Sequence, residues 1–210
     1  MGMALRIVVL LLAQAVATGS PAPSVRPPSQ SAAFHSAVPG NLVSDPSAEL
    51  GGAAWRAIDD ATVDVWMGSR CFTVRNRGAF IQLVAVPAAS GDSYLVVLGR
   101  GATERINQDG TITGLPTLHG EMLTADQRGI LAYLTGQNLL GRPRRANEWT
   151  TMWGIFQVPA GVEWVALRLG QAERAGVNHN GSAARFTDLA LVLVATKTEA
   201  ELLVKQYVSR

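Results

Sequence analysis

Apolar residues along this chain recur with a period of two, in short runs closed by Gly or Pro. "FIQLVAV" (Phe80 to Val86), "SYLVVLG" (Ser93 to Gly99), "VEWVALRLG" (Val162 to Gly170) and "ARFTDLALVLV" (Ala184 to Val194) are the clearest. "RCFTVRN", "GILAYLTG" and "MWGIFQVP" add three more. Each has the length and composition of a strand. Turn chemistry separates them at "VPAASGD", "NQDGT", "GLP", "GRPRR", "VPAGV" and "NHNGS", and Asp109-Gly110 is a hairpin signal. Strands without intervening helical patterns predict an all-β antiparallel sandwich. One helix is predicted, at the C-terminal end. "TEAELLVKQYV" offers Thr198 as N-cap with Glu201 three residues on, and Ala200, Leu203, Val204 and Tyr207 at helical spacing.

Parity assigns faces. In "VEWVALRLG", Val165, Leu167 and Leu169 share one face, which belongs in the core with Leu191 and Leu193 of the later run. Trp164, Ala166 and Arg168 share the other. A large ring and a guanidinium flanking a small residue predict a shallow groove, with its ends about 13 Å apart at ~3.3 Å per residue.

The N-terminal segment has a different pattern. Residues 1–17 read as a signal peptide, with Arg6 before "IVVLLLAQAVA" and the small-x-small pattern of "AVA" at its end. The apolar run is too short to span a bilayer as a helix, and no later stretch in the mature chain is long and charge-free enough. Residues 18–40, rich in Pro, Ser and Ala, read as an extended linker. The folded domain is placed at 41–196 and the helix at 197–210. The expected location is secreted or periplasmic.

Composition narrows the chemistry. Cys71 is the only cysteine, which excludes an internal disulfide and a cysteine-based zinc site, and it reads as a small buried hydrophobe. The net charge of +2 does not argue for nucleic acid. Basic residues cluster only in "GRPRRANE", Gly141 to Glu148, a solvated loop or the seat of an anionic ligand. "SGDSY" contains the Gly-Asp-Ser of one esterase class, but no Asp-x-x-His follows to complete a triad. The scattered carboxylates show no pairing for glycoside hydrolysis.

Four segments in order carry a resemblance. "NLVSDPSAELGGAAW", "FIQLVAVPAASGDSYLVVLGRG", "WGIFQVPAGVEWVALRLG" and "ARFTDLALVLV" resemble the opening, the middle, the paired late strands and the closing strand of galactose-binding-like jelly rolls of carbohydrate-binding-module type. The resemblance implies a jelly-roll fold and a non-catalytic polysaccharide- or glycan-binding role. The alternatives are an adhesion or structural module with a protein partner, and a carbohydrate-active lyase or hydrolase. Sugar recognition draws on rings and planar polar groups, here Trp164, Arg168, Trp153, Trp149 and Trp66, with Tyr133, Gln82 and Asn138 as further candidates. The resemblance also implies a structural calcium, held by Glu49 and by Asp188 of the closing strand, with Asp45 a third carboxylate. First and last strands of such a sandwich lie side by side, so these acids would approach and repel unless a cation sat between them. Thr187 departs from the usual pattern of two successive closing acids, and 111–148 carries no family signature.

Overall fold

A computed structural model describes residues 38–88, 92–106, 112–172 and 182–209. The chain is an antiparallel β-sandwich of jelly-roll type, with twelve strands among the described residues. They are β1 (Arg56–Ile58), β2 (Ala61–Trp66), β3 (Ser69–Arg75), β4 (Ala79–Ala85), β5 (Tyr94–Thr103) and β6 (Arg105–Ile106). β7 (Ile112–Thr113), β8 (Pro116–Leu123), β9 (Ile130–Leu134), β10 (Thr150–Gln157), β11 (Trp164–Gln171) and β12 (Ala183–Val194) follow. A 3-10 turn at Gln137–Leu139 precedes β10, and one helix, α1 (Lys197–Val208), follows β12.

One sheet runs β1-β4-β11-β8-β9 and the other β10-β5-β12-β3-β2. β6 and β7 form a small separate ribbon; the Asp109-Gly110 turn that the sequence predicts between them lies outside the described residues. The core fills the space between the two sheets with alternate residues. Leu118, Met122, Val165, Leu167 and Leu169 come from the first sheet, and Phe72, Val74, Leu95, Val97, Phe186 and Leu191 from the second. Leu193, at the end of β12, is only half-buried. Trp55, Phe72 and Phe80 stack in succession at 5.1 and 5.0 Å. Cys71 is fully buried, and burial raises its thiol pKa further than the Thr73 hydroxyl lowers it.

The segment 111–148, which carries no family signature, holds β7, β8 and β9, of which β8 is the longest. Its "PTLHGEML" alternates core residues with Thr117, His119 and Glu121, the pattern of a half-buried strand. Gly120 is required there, since a Cβ would lie 2.7 Å from the Ala166 carbonyl oxygen of neighbouring β11.

The helix is capped two residues earlier than the sequence predicts, by Thr196 in place of Thr198. "TKTEAE" holds two overlapping Thr-x-x-Glu boxes, and the first is used. Thr196 is the N-cap, its hydroxyl accepting from the Glu199 amide at 3.2 Å, while the Glu199 carboxylate accepts from the Thr196 amide at 3.2 Å. Ala200, Val204 and Tyr207 then pack on the outer face of the second sheet, against Val96, Leu98, Ala190 and Val192.

Candidate functional site

The two outer faces of the sandwich differ. On the second sheet, α1 covers one part. On the first, register places a row of polar and aromatic residues on the face away from the core. Arg168 of β11 lies opposite His119 of β8 and Ile81 of β4, and Ile81 lies opposite Arg56 of β1. One step along, Ala166 lies opposite Glu121 and Leu83, and Glu121 opposite Tyr133 of β9. Trp164, half-buried, closes the next row. Arg168 is exposed, as are Leu83 and Tyr133, at 42% and 59%. The small Ala166 stands between Trp164 and Arg168 on this side of β11.

His119 gives this face its electrostatic character. Burial and, behind it, the adjacent Arg168 charge lower its pKa, so the imidazole is neutral at neutral pH. Its Nδ1 is buried with no protein partner. The face therefore presents a neutral ring, the Arg168 and Arg56 cations and the Glu121 carboxylate, all able to exchange hydrogen bonds with hydroxyl groups. Glu121 escapes sequence reasoning as a site residue because no motif marks it; only the alternation in "PTLHGEML" puts it beside His119.

The other tryptophans are elsewhere. Trp66, which ends β2, and Trp149, which precedes β10, meet edge to face at 5.0 Å. The Arg185 guanidinium lies 4.9 Å from the Trp66 ring centre. Arg185 is 5% exposed and paired with Glu104. Burial pushes the Glu104 pKa up, but its hydrogen bond from Arg185 and the Arg185 charge outweigh this and lower it. Trp153, on β10, stands apart from that cluster and packs partly against the residues under α1. It lines a depression of about 260 Å³ with Asn138, Leu140, Arg142, Thr150 and Thr151. The five site residues thus fall into three places: Trp164 with Arg168, Trp66 with Trp149, and Trp153 alone.

Gln82 is not a ligand contact. It is buried, and its side chain holds the opening loop: Oε1 accepts from the Ser44 amide at 2.9 Å, and Nε2 donates to the Ser44 and Ala54 carbonyls. Asp45 acts in the same loop. Its Oδ1 accepts from the Leu50 amide at 2.9 Å and its Oδ2 from the Gly52 amide at 2.7 Å. Gly52 must be glycine, with φ +75° and a Cβ position 2.9 Å from the Val63 side chain. The Trp55 indole N–H donates to the Ser44 carbonyl at 3.0 Å.

The opening segment does run beside the closing strand. The Leu42 amide bonds to the Leu191 carbonyl at 2.9 Å and the Leu189 amide to the Pro46 carbonyl at 3.1 Å, with the Asn41 side chain bridging to Leu189 and Leu191. The carboxylates do not converge with it. Glu49 is exposed. Asp188 is fully buried at a β-bulge, with φ 56°, and pairs with Arg100 at 3.5 Å. Tyr207 of α1 donates to the Asp188 carbonyl at 3.1 Å. Among the described residues no three His, Cys, Asp or Glu side chains gather as metal ligands. With Asp45 and Asp188 each engaged by protein donors, this set does not fit a calcium ion, which takes six to eight oxygens.

Ser93 of the Gly-Asp-Ser segment is buried just ahead of β5, while Gly91, Asn178 and His179 lie outside the described residues. Among the described residues no helix is long and apolar enough to cross a membrane.

Solved structures are similar to this chain at low identity. The enzymatically active domain of tailspike protein 4 from bacteriophage CBA120 matches at 13% identity and TM-score 0.49, over 73% of this chain and 21% of that one. The CBM22-1 xylan-binding domain of Xyn10C from Paenibacillus barcinonensis matches at 13% identity and TM-score 0.48, over 75% of this chain and 97% of that one. The K3 cleaved adhesin domain of Lys-gingipain from Porphyromonas gingivalis matches at 14% and 0.39, over 70% and 97%. The chain spans about a fifth of the tailspike protein's length. No family model matches the chain, and no curated protein does.

Proposed function

We propose that this chain binds carbohydrate without transforming it, through the uncovered face of the β1-β4-β11-β8-β9 sheet, and that it acts outside the cell after removal of residues 1–17. The observation that carries the reading is the juxtaposition on that face. Trp164 and Arg168 flank the small Ala166, and the neighbouring strands supply His119, Glu121 and Tyr133 from opposed register positions. A sugar ring needs an apolar surface for its C–H face and paired donors and acceptors for its hydroxyls, and this row offers both. The spacing of Trp164 and Arg168, four residues or about 13 Å along β11, suits a contact of about two sugar units.

Affinity electrophoresis in gels containing xylan, mixed-linkage β-glucan or galactan tests the reading. Retardation by at least one polymer is expected, with a loss of about tenfold or more in Trp164→Ala and in Arg168→Ala. Equal retardation of parent and both variants in every gel removes this face from the account.

A further inference from the structure

The flank of the sandwich is a separate surface. There the chain passes from β9, an edge strand of one sheet, to β10, an edge strand of the other, through the 3-10 turn and the loop 140–149. Two adjoining depressions lie along it. The first, about 260 Å³, is lined by Asn138, Arg142, Thr150, Thr151 and Trp153, with Leu140. The second, about 200 Å³, shares Asn138 and Trp153 and extends toward Gly136 and Phe156. Each alone is smaller than the roughly 300–1,000 Å³ of an ordinary ligand pocket; sharing a tryptophan and an amide, they form one longer trough.

Its chemistry is specific. An indole supplies a stacking surface, two hydroxyls and an amide supply donors and acceptors, and a guanidinium supplies charge. No carboxylate is among the lining residues. Arg144 and Arg145, both exposed, follow Arg142 in the same loop, and none of the three has an acidic partner among the described residues. Three unneutralised cations beside a ring and hydroxyl-binding groups suit a sugar that carries an anion.

We infer that this flank is a second carbohydrate site, selective for acidic polysaccharide, with Trp153 stacking on a sugar ring, Asn138, Thr150 and Thr151 bonding its hydroxyls, and Arg142 meeting its carboxylate or sulfate. Arg144 and Arg145 raise the local concentration of polyanion and steer its approach. The inference shares the carbohydrate reading above but none of its residues.

The test is affinity electrophoresis with polygalacturonate, dextran sulfate, uncharged dextran and duplex DNA. The parent is expected to be retarded by polygalacturonate, by dextran sulfate, or by both, and less by dextran; which anion wins distinguishes carboxylate from sulfate recognition. Arg142→Ala and Asn138→Ala, both at exposed positions that leave the core untouched, should each weaken retardation about tenfold. Trp164→Ala/Arg168→Ala should leave it intact while abolishing binding to neutral polymers, so the two sites fail separately. Absence of retardation by either acidic polymer, equal retardation of Arg142→Ala and parent, or equal retardation by DNA overturns the inference.

Discussion

Trp66 and Trp149 meet edge to face at 5.0 Å although they belong to opposite edges of one sheet. Trp66 ends β2 at one edge, and Trp149 immediately precedes β10 at the other. Four strand spacings of about 4.8 Å separate those edges in a flat sheet. The contact therefore requires the face to curl, so that the two rings arch over the residues between. Arg185, at 5% exposure, and Thr73, at 0%, belong to that outer face and lie out of solvent.

The arch is expected to be cooperative. Trp66→Ala and Trp149→Ala should each destabilise, and the double variant should cost less than the sum by about 0.5–1.5 kcal/mol. Denaturant unfolding of the four proteins measures the coupling; strict additivity would show that the rings act independently.

Glu104 should confer an acid-side pH dependence on that assembly. Its pKa is lowered in the folded state, so the unfolded state takes up the proton first as pH falls. The stabilisation is complete above the ordinary glutamate pKa of 4.5 and is lost as pH drops through the folded value. Glu104→Gln should be less stable than the parent at neutral pH, with the gap closing in acid. Thermal melts of both proteins across the acid range check this.

His119 acts in a higher window. Its folded pKa lies below the ordinary 6.5, so the unfolded state binds a proton where the folded state does not. Stability should therefore fall as pH drops from 6.5 toward the folded value, and His119→Gln should remove that component. If glycan lies on this face as proposed, affinity should change over the same interval as the imidazole acquires charge beside Arg168. Titration calorimetry across that range reads it.

The opening loop should be stable without added cation. Asp45 supplies two charge-assisted hydrogen bonds to backbone amides, and Gln82 three further bonds to the same loop. Asp45→Ala is expected to cost about 3 kcal/mol, since both bonds are lost in a buried setting. Excess chelator should leave the melting midpoint of the parent unchanged. A midpoint that falls on chelation and recovers with calcium would establish a cation in this loop that the carboxylate arrangement does not provide for.

The strands and the core stripe of β11 were legible because alternation is a one-dimensional signal. Val165, Leu167 and Leu169 occupy the core that their parity predicts. The adjacency of the opening segment to β12 was likewise expressed in sequence order. The grouping of the tryptophans was not. Nothing local in "DVWMGS" or "ANEWTT" states that the two rings touch, because their meeting depends on the curl of the whole sheet. Asp188 misled for a related reason. The resemblance reads it as a calcium ligand, yet a bulge at Thr187/Ala190 turns the backbone, and the side chain is buried beside Arg100. Gln82 looked free to meet a ligand until the loop folded back over it.

The helix and the start of the domain share one feature with a larger consequence. Val38 packs in the same cluster as Ala200, Val204 and Tyr207, on the outer face of the second sheet. Val38 and α1 thus pack on a single side, and Trp164 and Arg168 lie on the outer face of the opposite sheet. The molecule has a back and a front. On the proposed function, the face that meets carbohydrate is the one turned away from both Val38 and α1.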